Sequence, residues 1–309
     1  MNKNKIIVNP VSGNGTGQRI VPYLQELLQK QNLPYALSFT ERPWHAAQIA
    51  RHAAENDYET VVAVGGDGTA NEVINGLMSA GAAGFKKPAL AILSVGRGND
   101  MAYGMNIPTD LVEAVSILAD GHTSTRDVGR ITGGDYPEGR YFANGVGIGF
   151  DAVVGFEAAK IKRIQGFANY LAAAMKTILL YYHAPVVRLE FDGEELTQPC
   201  LMISVMNGRR MGGGFYTAPQ ALPNDGLFDL CIAGQVSRLT ILGLMQQYMK
   251  GTQASHPAIK TARAKKVTVT PINDKLPVHA DGETICKEGQ QLVLEIIPAA
   301  LEVICRPGD

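Results

Sequence analysis

The sequence predicts an α/β domain with a parallel sheet, followed by a second domain of antiparallel strands. Within the first 127 residues, short apolar runs alternate with helical patterns, as they do in parallel sheets. Beyond Asp127 the pattern changes to shorter strand-like runs with turns between them, which is typical of an antiparallel sandwich or barrel. A chain of 309 residues also exceeds the usual size of one domain, so two domains are expected.

The most informative stretch is residues 61–77, which combine a strand, a glycine turn and a helix. Residues 61–64 are apolar and have the length of a strand buried on both faces. Residues 65–68 contain three glycines and one Asp. After this turn, Thr69 is expected to cap a helix, with Glu72 three residues later. A glycine turn at the positive end of a helix gathers free backbone N–H groups, so it suits phosphate.

An acidic residue in a phosphate-binding turn needs a chemical reason. Asp67 is tolerable beside a phosphate if it holds Mg²⁺, accepts a proton or anchors the loop. The alternative is an ordinary strand–helix turn in which the glycines only permit the bend. Asn71 and Glu72 follow the turn closely. They make the motif more specific, and they favour the phosphate-binding interpretation.

Two further strands lead into polar glycine loops. Residues 6–8 precede a loop over residues 9–17 and a helix over residues 20–28, and residues 89–93 precede a loop over residues 94–100. Because the carboxyl ends of parallel strands lie at one edge of a sheet, the three loops are expected to converge there. The first two glycine loops of the chain match no dinucleotide-binding or P-loop signature, which argues against a redox Rossmann protein.

The remaining elements of the first domain continue this pattern. Residues 35–39 are expected to form a strand that ends at Thr40, at the same edge of the sheet. Residues 45–55 and 111–118 are expected to be helices. Residues 301–305 could form a late strand that returns to this domain.

The second half contains six strand-like runs and one helical stretch. The strand-like runs are residues 141–143, 186–191, 200–206, 227–233, 266–270 and 291–296. Residues 155–182 are expected to form one or two helices. Their apolar face is expected to pack in the core rather than on a membrane.

Four polar clusters interrupt the second half. Residues 144–151 and 207–214 are rich in glycine and are interpreted as close-packing turns. Residues 223–226 have the composition of a turn, so Asp225 is expected to be structural. Residues 279–283 place two carboxylates beside a glycine. That cluster suits a base or an Mg²⁺ ligand, and it equally suits a solvated hairpin turn.

The charge balance and the cysteine positions argue against several classes of function. The chain has 28 Lys and Arg against 29 Asp and Glu, which provides no overall field for nucleic acid. Its four cysteines include no Cys-x-x-Cys pair, which argues against a zinc site or a disulfide scaffold and favours reduced thiols. The N-terminus lacks a signal-peptide core, and no stretch is apolar enough to span a membrane. We therefore expect a cytoplasmic protein whose membrane contact is peripheral, and the sequence leaves a homodimer open.

Six motifs occur in order along nearly the whole chain. They are Asn9-Pro10-x-Ser12-Gly13, Gly65-Gly66-Asp67-Gly68-Thr69-x-Asn71-Glu72, Gly96-x-x-Asn99-Asp100, Asn207-Gly208 with Gly212-Gly213-Gly214, Asn224-Asp225-Gly226-Leu227, and Asp281-Gly282-Glu283. Together they resemble the diacylglycerol kinase catalytic-domain family, which contains soluble bacterial lipid kinases and the sphingosine kinases. The resemblance implies a phosphofructokinase-like α/β domain at residues 1–127, completed by residues 298–309, and a C-terminal β-sandwich domain for the lipid substrate at residues 128–297.

The resemblance also implies the residues of the site. ATP would contact Asn9, Pro10, Ser12, Gly13, Thr40, Gly65, Gly66, Asp67, Gly68, Thr69, Asn71, Glu72, Gly96 and Arg97. The proton of the lipid hydroxyl would pass to Glu283 or Asp281, of which the family points to Glu283, and Asp67 would be the third catalytic residue. Many relatives have Thr at the position of Arg97. This arginine either clamps phosphate oxygens or points to solvent.

A structural Mg²⁺ is implied as well. Its ligands would be the side chain of Asp225 and the backbone carbonyls of Leu222 and Leu227. Asp127 and Asp67 would be linked to the ion through its waters.

The implied activity is transfer of the γ-phosphate of ATP, with Mg²⁺, to the hydroxyl of a lipid such as diacylglycerol at a membrane surface. A basic rim suited to anionic bilayers could be formed by Lys160, Lys162, Arg163, Arg209 and Arg210. Two alternatives remain. One is a kinase of a small soluble acceptor, since NAD kinases share the Gly-Gly-Asp-Gly turn, and the other is a non-catalytic protein that binds lipid or nucleotide.

Overall fold

The structure, a computed structural model, describes residues 4–96, 98–161 and 167–308. It divides into two compact units. The first unit comprises Met1–Asp127 and Ala299–Asp309, and the second comprises Val128–Pro298.

The first unit alternates strands and helices along the chain. Its elements are β1 (Asn4–Val8), α1 (Ser12–Arg19), α2 (Val21–Lys30), β2 (Tyr35–Phe39), α3 (His45–Glu55), β3 (Thr60–Gly65), α4 (Asp67–Ala82), β4 (Ala89–Ser94), α5 (Asp100–Gly104) and α6 (Leu111–Asp120). The four strands are parallel and lie in the order β4, β3, β1, β2.

Alternating burial explains why these segments form a layered sheet. All six residues of β3 are buried, as expected for a central parallel strand. Alternate residues of β1 and β3, including Ile6, Val8 and Val64, share a core with the apolar stripes of α2 and α6. The helices α3 and α4 also contact these two strands. The predicted α/β class is therefore confirmed for this unit.

The second unit is dominated by antiparallel strands. Its elements are β5 (Thr123–Gly133), β6 (Tyr136–Phe142), β7 (Gly145–Gly149), α7 (Phe150–Lys160), α8 (Phe167–Leu180), β8 (Val186–Phe191), β9 (Glu194–Met206), β10 (Phe228–Gly234), α9 (Arg238–Lys250), β11 (Ile259–Ala264), β12 (Lys266–Pro271), β13 (Leu276–Ala280), β14 (Glu283–Gly289) and β15 (Leu292–Ile304).

The strands of this unit form two layers joined by the long strand β9. One layer has the order β14, β13, β7, β9, β10, β11, and its neighbours are antiparallel. In the other layer, the first half of β9 pairs with β8, which pairs with β12, which pairs with β15. Val187 and Val267 of this layer share one core with Ile148, Ile203 and Val278 of the other. The predicted antiparallel sandwich is confirmed.

Two strands belong partly to each unit. The boundary lies after Asp127 in β5 and before Ala299 in β15. Inside the first unit, Val303 of β15 pairs in parallel with Leu90 of β4. The carboxylate of Asp127 also accepts a hydrogen bond from the backbone N–H of Ala299 at 2.7 Å. The last residues of the chain therefore complete the first unit.

The helix after the central glycine turn begins earlier than the capping pattern predicts. It starts at Asp67, and Gly66 occupies its N-cap without a side-chain hydrogen bond. Thr69 is instead buried in the first turn, where its hydroxyl accepts a hydrogen bond from Asn9 Nδ2 at 3.0 Å. The predicted cap at Thr69 is therefore wrong, because glycine is also accepted at an N-cap and the threonine hydroxyl has another partner.

Residues 145–149 form strand β7, although their glycines predicted a turn. Two of these glycines, Gly145 and Gly147, lie where a side chain comes close to the strand. A Cβ on Gly145 would lie 2.5 Å from Met206 Sδ, and one on Gly147 would lie 2.1 Å from Asp151 Oδ2. Glycine is tolerated in a strand where another group approaches the backbone this closely.

Four other features also differ from the expectations. The helix α1 begins at Ser12, inside the predicted loop over residues 9–17. Three residues near its start, Gly13, Asn14 and Gly15, nevertheless have left-handed backbone angles. The runs at residues 291–296 and 301–305 are one continuous strand, β15. The helix α9 and the strand β11 had no predicted counterpart.

The helical stretch predicted over residues 155–182 is two helices, α7 and α8. Ala173, Ala174 and Ile178 of α8 pack with Val154 of α7 and Ile241 of α9 in a small core. None of the helices in the described ranges is long and apolar enough to cross a membrane.

Candidate functional site

The three glycine loops of the first unit meet at one edge of its sheet. A Cβ on Gly96 would lie 2.6 Å from the Cα of Gly66, so these two loops touch through their backbones. A Cβ on Gly13 would lie 2.2 Å from the carbonyl oxygen of Val95. The hydroxyl of Ser12 lies 3.8 Å from the Cβ position of Gly66. The convergence expected from the parallel strand order is therefore present, and glycine is required at these contacts.

Hydrogen bonds between loops hold this arrangement. The backbone N–H of Asn9 donates to the carbonyl of Val64 at 2.9 Å, while its side chain reaches Thr69. The backbone N–H of Thr40 donates to the carbonyl of Val8 at 2.9 Å, so Thr40 lies beside the start of the first loop. The strand ends are thus fixed to one another by main-chain and side-chain contacts.

Asp67 anchors the third loop to the second. Its Oδ1 accepts a hydrogen bond from the backbone N–H of Met101 at 3.1 Å, and its Oδ2 accepts one from Asp100 at 3.3 Å. Because Asp67 is the first residue of α4, its charge also lies at the positive end of that helix. Of the three roles that the sequence offered for this residue, the structure shows the anchoring contacts directly.

A second carboxylate lies close to Asp67. A Cβ on Gly98 would lie 3.2 Å from Asp67 Oδ2 and 3.5 Å from Asp100 Oδ2. If phosphates occupy the glycine turn, two acids beside it would repel them unless a cation offsets their charge. Among the described residues, no group of three or more His, Cys, Asp or Glu could hold a metal ion. This arrangement fits Mg²⁺ that arrives with a nucleotide, since such ions use one or two carboxylates together with phosphate oxygens and water.

The other predicted nucleotide contacts lie in the same loops. Gly65 ends β3, and its carbonyl accepts a hydrogen bond from Val95 at 2.9 Å. Asn71 is fully buried, and Glu72 accepts a hydrogen bond from the backbone N–H of Ala46 at 3.1 Å. Glu72 therefore links α4 to the first turn of α3. Pro10 follows Asn9 in the first loop, Gly68 lies in the first turn of α4, and Arg97 lies outside the described residues.

Replacing Gly96 with Ala tests the contact between the second and third loops. The new methyl group would collide with the backbone of Gly66, so we expect ADP affinity to fall roughly tenfold or more. Isothermal titration calorimetry with ADP measures this directly. Gly243→Ala in α9 is the matched control, because a Cβ there meets nothing within 4 Å. ADP affinity equal to that of the wild type in Gly96→Ala would contradict the assigned role of this contact.

In the second unit, the two acids of the 279–283 cluster have different surroundings. Asp281 and Gly282 form the tight turn between β13 and β14, both with positive φ, at 49° and 82°. The buried carboxylate of Asp281 accepts hydrogen bonds from the backbone N–H groups of Ala143, Asn144 and Gly145 at 2.8, 2.9 and 3.0 Å. Glu283, by contrast, is exposed. Asp281 thus holds a loop, while the carboxylate of Glu283 is available for proton transfer.

Asp225 is bound to a cation that the sequence did not indicate. Its Oδ2 forms an ion pair with Arg263, and its Oδ1 accepts a hydrogen bond from the backbone N–H of Leu227 at 3.1 Å. Arg263 also lies 3.6 Å from Asp229, whose pKa is raised by burial. A guanidinium at this carboxylate opposes a second cation there. In this arrangement the carboxylate of Asp225 is engaged by Arg263, and the structural Mg²⁺ site predicted at Asp225, Leu222 and Leu227 stays a prediction.

A histidine–aspartate pair in the second unit had no predicted role. His279 Nε2 lies 3.3 Å from Asp151 Oδ2, and His279 is buried. The pair sits over Gly147, where a Cβ would lie 2.4 Å from His279 Nε2. The signal for this pair in the sequence was the glycine-rich run of residues 144–151, because a side chain at Gly147 would collide with both members of the pair.

Comparison with protein families gives two matches that together span most of the chain. Residues 3–131 match the diacylglycerol kinase catalytic domain, and residues 144–305 match the YegS C-terminal NAD kinase beta sandwich-like domain. A diacylglycerol kinase of Staphylococcus saprophyticus is 30% identical over 281 residues, which cover 90% of this chain and 88% of the relative. One of Staphylococcus carnosus is 28% identical over 280 residues, with 90% and 88% covered.

Solved structures share the fold. A diacylglycerol kinase from Bacillus anthracis superimposes with a TM-score of 0.74 at 20% identity, covering 99% of this chain and 97% of that chain. Yeast NADH kinase complexed with NADH gives a TM-score of 0.51 at 10% identity, with 98% and 83% covered. At these identities the likeness concerns the fold alone.

Proposed function

Because the chain belongs to the diacylglycerol kinase family, we propose that it transfers the γ-phosphate of ATP to the hydroxyl of a lipid such as diacylglycerol. The main support is the meeting of three glycine loops around the first turn of α4, with Asp67 at its start. Backbone N–H groups and a positive helix end suit the phosphates of a nucleotide. The family membership supplies the reaction class.

The loops of the first unit would bind ATP through their backbone. The phosphates would lie over residues 65–68, three of which are glycines, and Ser12 and Thr40 would add hydroxyl contacts at the sides. Asp67 would keep the third loop against the turn through its bonds to Asp100 and Met101. Mg²⁺, when bound with the nucleotide, would offset the charge of the phosphates. Most of the catalysis would then be positioning and electrostatics.

Glu283 would accept the proton of the attacking hydroxyl. It is exposed at the start of β14, and no hydrogen bond of its side chain is seen among the described residues. Asp281 would fix the hairpin that presents Glu283, since its carboxylate is engaged by three backbone donors. A freely accessible carboxylate suits a general base better than one already committed to the backbone.

The deciding experiment is transfer of labelled γ-phosphate from ATP to a total lipid extract in the presence of Mg²⁺. We expect one labelled lipid with the wild type and none with Glu283→Gln. A labelled product that persists in Glu283→Gln would contradict the role of Glu283. If ATP binds and no lipid becomes labelled, the lipid-kinase proposal is wrong.

A kinase of a small soluble acceptor is the second candidate, because yeast NADH kinase shares the fold. The two candidates differ in their need for a lipid surface. Phosphorylation that stops when vesicles or detergent are omitted supports the lipid kinase. ATP-dependent phosphorylation of NAD or another soluble alcohol without any lipid supports the alternative.

Access to a lipid calls for peripheral contact with a membrane, and α8 offers an apolar surface for it. Leu171, Met175 and Leu179 follow at four-residue spacing and are 37%, 41% and 66% exposed. Leu180 continues this surface at 64% exposed. The only charged residue of α8 is Lys176, and α9 carries only Arg238 and Lys250 as charged groups. An apolar stripe on a helix whose one charged residue is basic suits an anionic bilayer, and the acid that pairs with Lys176, Glu157, is buried.

The basic rim proposed from sequence is only partly described. Lys162 and Arg163 lie outside the described residues. Lys160 and Lys176 both pair with the buried Glu157, at 2.5 and 2.6 Å. Their hydrogen bonds lower the pKa of this carboxyl, so one net positive charge remains on the trio. The proposed membrane contact therefore rests mainly on the apolar stripe of α8 rather than on the basic rim.

Leu179→Glu should weaken binding to vesicles that contain phosphatidylglycerol by roughly tenfold, because a charge replaces an apolar side chain at the lipid surface. Vesicle sedimentation measures this effect. Val112→Glu is the matched control, since Val112 is a 48% exposed helical residue of the first unit. Equal losses in both variants, or no loss in Leu179→Glu, would contradict the placement of the membrane surface on α8.

A further inference from the structure

Strand β2 is an edge of the parallel sheet in the first unit. In the described part of the chain it pairs only with β1, and it ends the strand order of the sheet. Its five residues are all partly exposed or exposed, whereas all six residues of the central strand β3 are buried. An edge strand presents main-chain N–H and C=O groups that another chain can bind. The strand therefore needs either protection or a partner.

The sequence of β2 lacks the features that usually protect an edge strand. Many edge strands carry charged residues or a proline that discourage pairing with another chain. The sequence of β2, Tyr35-Ala36-Leu37-Ser38-Phe39, contains no charged residue and no proline. The side chain of Phe39 at its end is 37% exposed. An uncharged edge of ordinary length is therefore open to pairing.

The order of residue types in β2 is symmetric about Leu37. An aromatic residue lies at each end, and a small residue lies on each side of the central leucine. If two copies pair antiparallel about Leu37, Tyr35 of each copy lies opposite Phe39 of the other, and Ala36 lies opposite Ser38. Aromatic pairs across strands stabilise a sheet. The strand is thus complementary to itself, as a two-fold interface between identical subunits requires.

The direction of the main-chain groups fits the same pairing. The N–H of Thr40 donates to the carbonyl of Val8 in β1 at 2.9 Å. Because main-chain groups alternate in direction along a strand, those of Tyr35, Leu37 and Phe39 point away from β1. In an antiparallel pair centred on Leu37, these are the residues that exchange N–H···O bonds with the second copy, about six bonds in all.

A surface hollow lies where an aromatic ring of the second copy would enter. It measures about 680 Å³, lies between α2 and the start of β2, and is lined in part by Leu33, Pro34 and Tyr35. Tyr35 and Leu37 pack against the core that includes α2. Phe39 shares their face of the sheet, because side chains alternate along a strand. The Phe39 ring of a second copy, opposite Tyr35, would therefore lie at this hollow.

We propose that the protein forms a homodimer in which two copies of β2 pair antiparallel about Leu37. The parallel sheet of one subunit then continues into the sheet of the other, which is a form of β-strand addition. The interface is built on one short strand and the hollow beside it, so we expect the dimer to form reversibly as the protein concentration rises. The dimer does not depend on the proposed kinase activity.

Sedimentation velocity of the full chain at about 1 to 100 μM tests the dimer. The wild type should shift from monomer to dimer as its concentration rises. Phe39→Lys should raise the dissociation constant roughly tenfold or more, because a charge enters a two-fold interface twice. Phe85→Lys is the matched control, since Phe85 is 43% exposed in the first unit and lies outside β2. A wild type that stays monomeric, or an unchanged dissociation constant in Phe39→Lys, would show that β2 is not the interface.

A cysteine at the two-fold axis tests the register. Opposite residues of a hydrogen-bonded pair have Cα atoms about 5.5 Å apart, within reach of a disulfide. The four native cysteines are buried. Leu37→Cys oxidised with diamide should therefore form a covalent dimer that a reducing agent separates, whereas Val112→Cys in α6 should stay monomeric.

The melting temperature of Leu37→Cys shows whether the variant is folded. A folded Leu37→Cys that sediments as a dimer and forms no covalent dimer would contradict pairing about Leu37. Equal amounts of covalent dimer in Leu37→Cys and Val112→Cys would contradict it as well, because the cross-link would then come from random collisions.

Discussion

Replacing Asp67 with Asn is expected to lower phosphoryl transfer on the order of 10³-fold while the protein stays folded. The amide keeps the size of the side chain and one oxygen that can accept a hydrogen bond from the third loop. It loses the negative charge at the start of α4, beside Asp100. If that charge orients a cation and the phosphates, activity should fall far more than stability.

Initial rates of lipid phosphorylation and thermal unfolding should be measured on the same preparation. Asp120→Asn is the matched control, because Asp120 is an exposed residue in the last turn of α6. Asp67→Asn that retains more than about a tenth of the activity would indicate that Asp67 only anchors the loop. In that case Asp67→Ala should be the variant that loses activity, since it removes both accepted hydrogen bonds.

Glu283→Gln is expected to lose activity and keep its stability, whereas Asp281→Asn is expected to lose stability. Glu283→Gln should reduce kcat by about 10²–10⁴-fold with little change in melting temperature, because Glu283 is exposed and its carboxylate makes no hydrogen bond seen among the described residues. Asp281→Asn should lower the free energy of unfolding by on the order of 3 kcal/mol, because it disrupts three hydrogen bonds to a buried carboxylate.

The comparison of these two variants assigns the base. The KM for ATP should stay the same in Glu283→Gln if the residue acts only on the acceptor hydroxyl. The assignment is reversed if Asp281→Asn is as stable as the wild type and inactive, while Glu283→Gln keeps full activity. Circular dichroism of both variants controls for loss of the β-sandwich.

The parts of the fold governed by local pattern could be read from the sequence. Helix α3 and the strands β2 and β8 have the predicted limits, because apolar periodicity and flanking turn residues determine them. The convergence of the three glycine loops could also be predicted from the sequence, since parallel strands bring their carboxyl ends to one edge of a sheet. These features depend on neighbours in sequence or on a general rule of topology.

Features that depend on tertiary contacts could not be read in this way. The hydroxyl of Thr69 was predicted to cap a helix, and only the structure shows that Asn9 binds it from another loop. The glycines of β7 suggested a turn because nothing in the local pattern reveals that Met206 and His279 approach that strand. Likewise, Arg263 lies 38 residues from Asp225, and no spacing rule connects them. The predictions therefore failed where a residue contacts partners that are distant in the sequence.

The return of β15 to the first unit has a consequence for synthesis of the protein. While the ribosome is still making residues 128–298, the edge of β4 lacks its parallel neighbour Val303, and Asp127 lacks the backbone donor of Ala299. An unpaired strand edge is a site where chains aggregate. The first unit can therefore be completed only after residues 299–303 have been synthesised, and a gene fragment that stops at residue 127 should give an aggregation-prone product.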